Sequence, residues 1–356
     1  MNTRKKTALI GCGSISGAHG GSYKLLRDKV EIKYFCDLIP EKAEQRKAEF
    51  GEESAIVTTD YRDVLADPEV DFVSVCLPNY LHAPISIEFL KAGKDVLCEK
   101  PASVNYELAL EMKKAADENG RILNIGVVNR FSRGVNRIKE IIESGELGEV
   151  YQIYCSFRSF RSIPALGKWF TTKEKAGGGA LIDWGVHFLD LIDYCCGGLE
   201  YKTVSAVCHS KLGCDMRGYN YRVMHSGPPD FSGTYNVEEY ITGLVRTAGP
   251  TLTINGAWAY NIDEENMFVE FIGTKGGIKL DYGKLFKLYT TVAGEFVTVT
   301  PSFEPNNHFA DEIAAFVRCC ETREKICSNI DYVLPTTRLM DALYASAEAG
   351  REVEIK

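Results

Sequence analysis

Short apolar runs alternate with amphipathic stretches over the first third of the chain. Thr7–Cys12, Val30–Cys36, Phe72–Leu77, Asp95–Cys98 and Ile122–Val127 read as strands, with a shorter one near Ile56–Val57. Helical spacing of apolar positions falls between them, over Ile15–Arg27, Glu41–Phe50, Tyr61–Leu65, Ala83–Ala92 and Ser103–Asn119. Asp60 stands where it can cap the third of these. Strands that are apolar throughout, separated by such helices, predict a parallel sheet covered on both faces. From about Phe131 the pattern changes. A helix over Val135–Ser144 ends at Gly145, strand Val150–Phe157 follows, and a loop rich in Arg, Phe and Pro runs from Arg158 to Phe170. A glycine-led helix, Gly177–Asp190, comes next. Then Thr203–His209, Val237–Arg246, Thr251–Tyr260 and Met267–Ile272 alternate apolar with polar, with shorter pieces to Val299. That alternation predicts a sheet with one wet face, and the lack of intervening helices predicts mostly antiparallel pairing. Helices near His308–Glu321 and Thr336–Ala349 close the chain. The expected fold class is α/β followed by α+β, divided as residues 1–127 and 128–356.

The first strand runs directly into GCGSISGAH at 11–19. Gly11 and Gly13 allow a tight turn and close approach of a pyrophosphate, and Ser16 takes the third glycine place, where a small residue lets helix and strand pack. The helix that follows points its N-terminal amides at the phosphates, with Ser14 and Ile15 in the turn. The second strand ends in Asp37, 24 residues beyond Gly13, against the roughly 20 expected for the acid that holds the adenosine ribose. A carboxylate there repels a 2′-phosphate, so NAD is favoured over NADP. The bland alternative makes Asp37 a turn residue before Pro40. Ligands of such sheets bind beyond the carboxyl ends of the strands. Asp37, Asn79, His82, Glu99 and Lys100 all fall at such ends, and with Leu77 they complete the candidate cofactor contacts. Lys100, between an acid and a proline, is either a surface lysine or a fixed ammonium that polarises a substrate oxygen.

In the glycine-led helix Asp183 and His187 are four residues apart and share a face. A histidine beside a carboxylate suits acid–base work on a hydroxyl proton; the alternative is a core histidine paired with a helix-start aspartate. Gly213–Asn236 is a long polar stretch of the kind that carries function or an interface. Within it Tyr219, Tyr221 and His225 either contact substrate or pad a subunit contact. Arg158, Trp169, Tyr219 and His225 are the candidate substrate contacts, and the aromatics Trp169, Tyr219, Tyr221 and Trp258 could stack on a sugar or an aglycone.

Composition narrows the rest. A chain of 356 residues exceeds one compact core, which supports two domains. The net charge of −8 argues against a nucleic-acid partner, and no apolar run reaches bilayer length. Met1–Lys6 is basic, but Gly11 and Gly13 interrupt the apolar stretch behind it, so no signal peptide is expected. Twelve cysteines occur without a C-x-x-C spacing. They read as reduced thiols of a cytoplasmic protein, with neither a disulfide framework nor a metal site.

Taken in order, GCGSISGAH at 11–19, PNYLH at 78–82, EKP at 99–101, GGGALIDWGVHFLDL at 177–191, FIGTKGGIKL at 271–280 and ALYASAEAGREVEI at 342–355 resemble the glucose–fructose oxidoreductase / inositol dehydrogenase / MocA (Gfo/Idh/MocA) family over essentially the whole length. The resemblance implies an N-terminal Rossmann domain and a C-terminal domain on an open, predominantly antiparallel β-sheet that mediates homo-oligomerisation. It also implies that His187 removes the proton of a secondary carbinol, that Lys100 hydrogen-bonds the same oxygen, and that Asp183 positions substrate or histidine. Members of the family often carry an N-R-R-F type run after the last Rossmann strand; here it reads Val128-Asn129-Arg130-Phe131, with Val128 where a polar residue is usual, so no contacts at 128–130 are carried over. The expected function is NAD-dependent oxidoreduction of a secondary ring hydroxyl of a sugar, a glycoside (C3 of a glucoside, for example) or a cyclitol. An inositol dehydrogenase, a glycosidase- or lyase-type enzyme that recycles its NAD internally, and a non-catalytic sugar sensor are the alternatives.

Overall fold

The computed structural model describes residues 4–355, so part of the basic Met1–Lys6 start lies outside the described residues. The chain divides into two compact units, residues 1–131 with 306–334, and residues 132–305 with 335–356.

The first unit alternates β1 (Lys5–Ile10), α1 (Ser16–Leu25), β2 (Val30–Cys36), α2 (Pro40–Phe50), β3 (Ile56–Thr58), α3 (Tyr61–Ala66), β4 (Phe72–Val75), α4 (Asn79–Lys91), β5 (Asp95–Glu99), α5 (Tyr106–Glu118) and β6 (Leu123–Gly126). All pairings are parallel, in the order β3-β2-β1-β4-β5-β6, the doubly wound order of a dinucleotide-binding sheet. β4 and β5 are buried along their whole length, as their apolar runs require. Asp60 caps α3 by accepting from the Arg62 amide.

In the second unit, α6 (Arg133–Glu143), β7 (Val150–Arg158), α7 (Lys173–Ala176) and α8 (Val186–Cys195) precede β8 (Tyr201–His209), β9 (Tyr240–Thr247), β10 (Thr251–Ala257), β11 (Asn266–Gly273), β12 (Gly277–Asp281), β13 (Phe286–Val292) and β14 (Glu295–Val299). These strands and a short β15 (Val353–Glu354) make a nine-stranded sheet in the order β14-β13-β12-β11-β7-β10-β9-β8-β15. Only β7 and β10 pair in parallel; the other neighbours are antiparallel. Ile153, Cys155 and Phe157 of β7 point into one core with Phe188 and Leu189 of α8, while Gln152 and Tyr154 stay partly exposed.

Two helices close the chain, α9 (His308–Thr322) and α10 (Ile330–Ala349). α9 belongs to the first unit, although the reading by pattern placed everything beyond 127 in the second. Its Ile313, Phe316, Val317 and Cys319 enter the same core as Tyr23, Phe72 and Leu97, with the Phe316 ring edge-on to Phe72 at 5.3 Å. Arg323 then binds Asp95 at 2.5 Å and the Gly120 carbonyl at 2.8 Å. Arg130 donates to the carbonyls of Cys327 and Tyr332, fastening the 128–131 turn to this returning segment.

Asp67, after α3, gives the first unit an acid-sensitive point. Burial opposes its charge, but Lys33 at 2.5 Å, the Glu69 amide and the Tyr34 hydroxyl hold it at about 2, below its ordinary 3.8. A depressed carboxyl contributes stability above its unfolded pKa and loses it as pH falls through the folded one. The melting temperature is therefore expected to drop between about pH 4 and pH 2. Asp67→Asn is expected to flatten that part of the profile in a pH series followed by circular dichroism.

Candidate functional site

Two glycines with different tasks shape the turn after β1. Gly11 has φ +93°, and a Cβ there would run into the backbone carbonyl of Cys76 beyond β4. Gly13 has nothing within 4 Å of its Cβ position, so the turn opens outward just ahead of α1. Asp37 fastens the turn: Oδ2 accepts from the Cys12 amide at 2.8 Å and Oδ1 from the Ile39 amide at 2.9 Å. Each oxygen keeps a second lone pair for ribose hydroxyls. Arg46 of α2 donates to the Gly13 carbonyl at 2.9 Å and to Ser16 Oγ at 3.0 Å. The start of α1 carries no acidic residue and, among the described residues, no side-chain cap. Its amides and dipole suit a phosphate. Ser14 is exposed and Ile15 half-buried at this end.

The remaining predicted contacts lie beyond β4 and β5. Leu77 is half-buried, its Cδ2 3.0 Å from the Cβ position of Gly11, and Asn79 opens α4 as a buried residue. His82 and Glu99 are committed to other protein groups. Both ring nitrogens of His82 lie 2.7 Å from backbone carbonyls, those of Pro101 and Leu77, and burial pushes its pKa down against them. Glu99 faces His19 at 2.8 Å and accepts from the Lys100 amide at 3.0 Å. Lys100 itself is half-buried and joined to Pro101 by a cis peptide.

The second unit carries the Asp183–His187 helix. It starts with one π turn, Leu181–Gly185, and continues as α8. Leu181, Ile182, Gly185, Val186, Phe188 and Leu189 are buried; Asp183, Trp184 and His187 are not, and make one half-exposed face. Such wide turns recur at functional sites. The glycines ahead of it allow close approach more than flexibility. Gly177 ends α7 at φ +87°, whereas side chains at Gly178 and Gly179 would strike the Tyr344 hydroxyl and the Glu238 backbone. Glu238, 7% exposed, accepts from the Gly179 amide at 2.9 Å, the Leu181 amide at 3.0 Å and the Tyr344 hydroxyl at 2.9 Å, anchoring the helix start.

Trp258 corrects an expectation. It is fully buried and donates from Nε1 to Asp183 Oδ2 at 3.0 Å, so it orients the carboxylate and has no face left for a sugar. Tyr219 is buried too, in a small core with Ile163, Leu166 and Trp258, and its hydroxyl accepts from the Ile163 amide at 3.4 Å. Burial pushes that hydroxyl up to about 12. Trp169 stacks on Phe170 at 3.8 Å, and Arg158 lies over the Tyr260 ring at 5.2 Å. His225 is exposed, with its backbone carbonyl accepting from Ala165. The pattern missed Tyr282 altogether. Its ring stacks on Phe188 at 4.7 Å and lies 6.5 Å from His187. It also missed Glu238 and Glu239, the latter holding the Leu212 and Gly213 amides and the Tyr235 hydroxyl.

Comparison with known proteins supports the fold and the family. Residues 5–127 match the family model described as "Oxidoreductase family, NAD-binding Rossmann fold", and residues 135–279 match the "GFO/IDH/MocA C-terminal domain". The D-glucoside 3-dehydrogenase of Escherichia coli (strain K12) is 31% identical over 353 residues, 98% of this chain and 97% of the relative. The chain belongs to the Gfo/Idh/MocA family. The levoglucosan dehydrogenase of Pseudarthrobacter phenanthrenivorans is 27% identical over 307 residues, 81% of this chain and 76% of that one. A solved levoglucosan dehydrogenase, in complex with NADH and L-sorbose, superposes with a TM-score of 0.86 over 99% of each chain at 22% identity. As a member of this family the protein is an NAD-dependent oxidoreductase, and the Gly11–Ile15 turn and Asp37 fit that cofactor.

Asp37→Ser is expected to weaken NAD binding by about 10- to 100-fold, the worth of hydrogen bonds to a charged group. NADP binding should weaken less, because a repelling charge goes with the carboxylate. Titration calorimetry with both nucleotides checks this.

Proposed function

We propose that the protein oxidises a secondary ring hydroxyl of a sugar or glycoside, with C3 of a glucoside the leading position. The half-exposed Asp183–Trp184–His187 face on a mostly buried helix carries this reading. The names of the two relatives, both carbohydrate dehydrogenases, support it. His187 takes the hydroxyl proton as the carbon–oxygen double bond forms. Bound NAD supplies the acceptor for the hydride leaving the same carbon. Lys100 donates a hydrogen bond to the oxygen and stabilises its developing charge. Asp183, held by Trp258, orients the substrate or the histidine. In the reverse direction His187 returns the proton.

The test incubates the protein with NAD and a panel of glucosides, free hexoses and inositols, reading NADH absorbance and product mass together. A glucoside product two hydrogens lighter with one NADH formed is the expected result. Turnover confined to inositols would overturn the substrate assignment, and product without NADH would place the chemistry with an internally recycled cofactor. The same reading includes a homo-oligomer formed through the open face of the second sheet, which sedimentation of the preparation would refute by returning the mass of one chain.

A further inference from the structure

Buried side chains grip the backbone at Lys100 and Pro101 from two sides, and each is anchored elsewhere in the first unit. On one side Glu99 Oε2 accepts the Lys100 amide at 3.0 Å, while Oε1 lies 2.8 Å from His19 Nε2. His19 sits on α1, three residues past Ser16, and is fully buried. Its Nδ1 is 3.1 Å from Ser74 Oγ on β4, and the Tyr23 hydroxyl is 2.8 Å from the same Oγ. One proton assignment gives every group a partner. The Tyr23 O–H donates to Ser74, the Ser74 O–H to His19 Nδ1, the His19 Nε2–H to Glu99, and the Lys100 N–H to the other Glu99 oxygen. The imidazole is then neutral and the carboxyl ionised, at the end of a chain of hydrogen bonds that polarise one another. Burial opposes the Glu99 charge, but the His19 hydrogen bond, the Lys100 charge and the Lys100 amide keep its pKa below the usual carboxyl range. The seat is tight, since a Cβ on Gly126 would stand 3.0 Å from Glu99 Oε1. On the other side His82 Nδ1 meets the Pro101 carbonyl at 2.7 Å.

We propose that His19 and Glu99 are positioning residues for the reaction: through them helix α1, whose start suits the dinucleotide phosphates, sets the place of the Lys100 amine. This rests on the role given to Lys100 above. The sequence motifs kept these residues apart, since His19 lies 80 positions from Glu99. In the structure they form one strut from the phosphate turn to the lysine.

Two readouts test it on the full chain. The first is a double-substitution cycle on kcat. His19→Leu is expected to lower kcat by about tenfold or more with Lys100 present, and by less than about threefold in a Lys100→Met background, as coupled residues do. His19→Gln, which keeps a donor for Glu99, is expected to recover most of the loss. The second is hydrogen exchange at the Lys100 amide, which should quicken about tenfold in His19→Leu with or without NAD. Equal losses in both backgrounds, or an unchanged Lys100 amide, would overturn the proposal while leaving Lys100 in its role. An unchanged kcat in Lys100→Met alone would remove that role, and this proposal with it. Should His19→Leu fail to fold, Glu99→Gln of the same shape carries the cycle.

Discussion

Replacement of His187 by alanine is expected to lower kcat by about 10²- to 10⁴-fold, the usual contribution of a positioned acid–base group. The fold should be spared. His187 lies on the half-exposed face of its helix, while Phe188 and Leu189 beside it do the packing. NAD binding should be spared as well, because the residues that fit the dinucleotide belong to the first unit. Steady-state kinetics with a turned-over substrate, set beside NAD titration and a melting curve, checks all three. A variant that melts normally, binds NAD normally and turns over within threefold of the parent would remove His187 from the chemistry.

The second large effect is expected at Gly11. Valine there must adopt φ near +93° and place its Cβ against the Cys76 carbonyl. The backbone cost is about 1–2 kcal/mol for an L-residue and more for a β-branched one. The clash lies with main chain, which has no rotamer to swing aside. Against a total stability of about 5–15 kcal/mol, Gly11→Val should lose NAD binding and melt many degrees lower. Gly13→Ala makes the contrast. Its Cβ meets nothing in the protein, so the chain should melt within a few degrees of the parent while NAD affinity falls, the new methyl standing where a phosphate is expected. Melting and NAD titration of the two variants together separate a glycine needed by the fold from one needed by the ligand.

Local signals carried much of this structure. The apolar runs and helical spacings were enough for the parallel sheet, and the G-x-G turn with Asp37 behind it was enough for the cofactor, since each depends on residues close in the chain. The site's supports depend on distant ones. Trp258 reaches Asp183 across 75 positions and Glu238 reaches Gly179 across 59, and no periodicity records such pairings. Aromatic content suggested sugar stacking at Tyr219 and Trp258, but composition says nothing about which rings the fold buries. The glycines at 178 and 179 are crowded by Tyr344 and Glu238, far along the chain, which the local sequence does not record. Glu99 closes β5 and His82 lies in the first turn of α4, beyond β4, yet the groups they bind became visible only in three dimensions.

The return of α9 to the first unit has a consequence for how the protein is made. Phe72 and Leu97 are translated early, but their partners Ile313, Phe316 and Val317 leave the ribosome only after the whole stretch from 132 to 305 has been synthesised. The unit that begins first is therefore finished late, with an apolar face uncovered in the meantime. During that interval the uncovered apolar face is open to aggregation, and a chain cut short before Ile313 would leave the core of the first unit open.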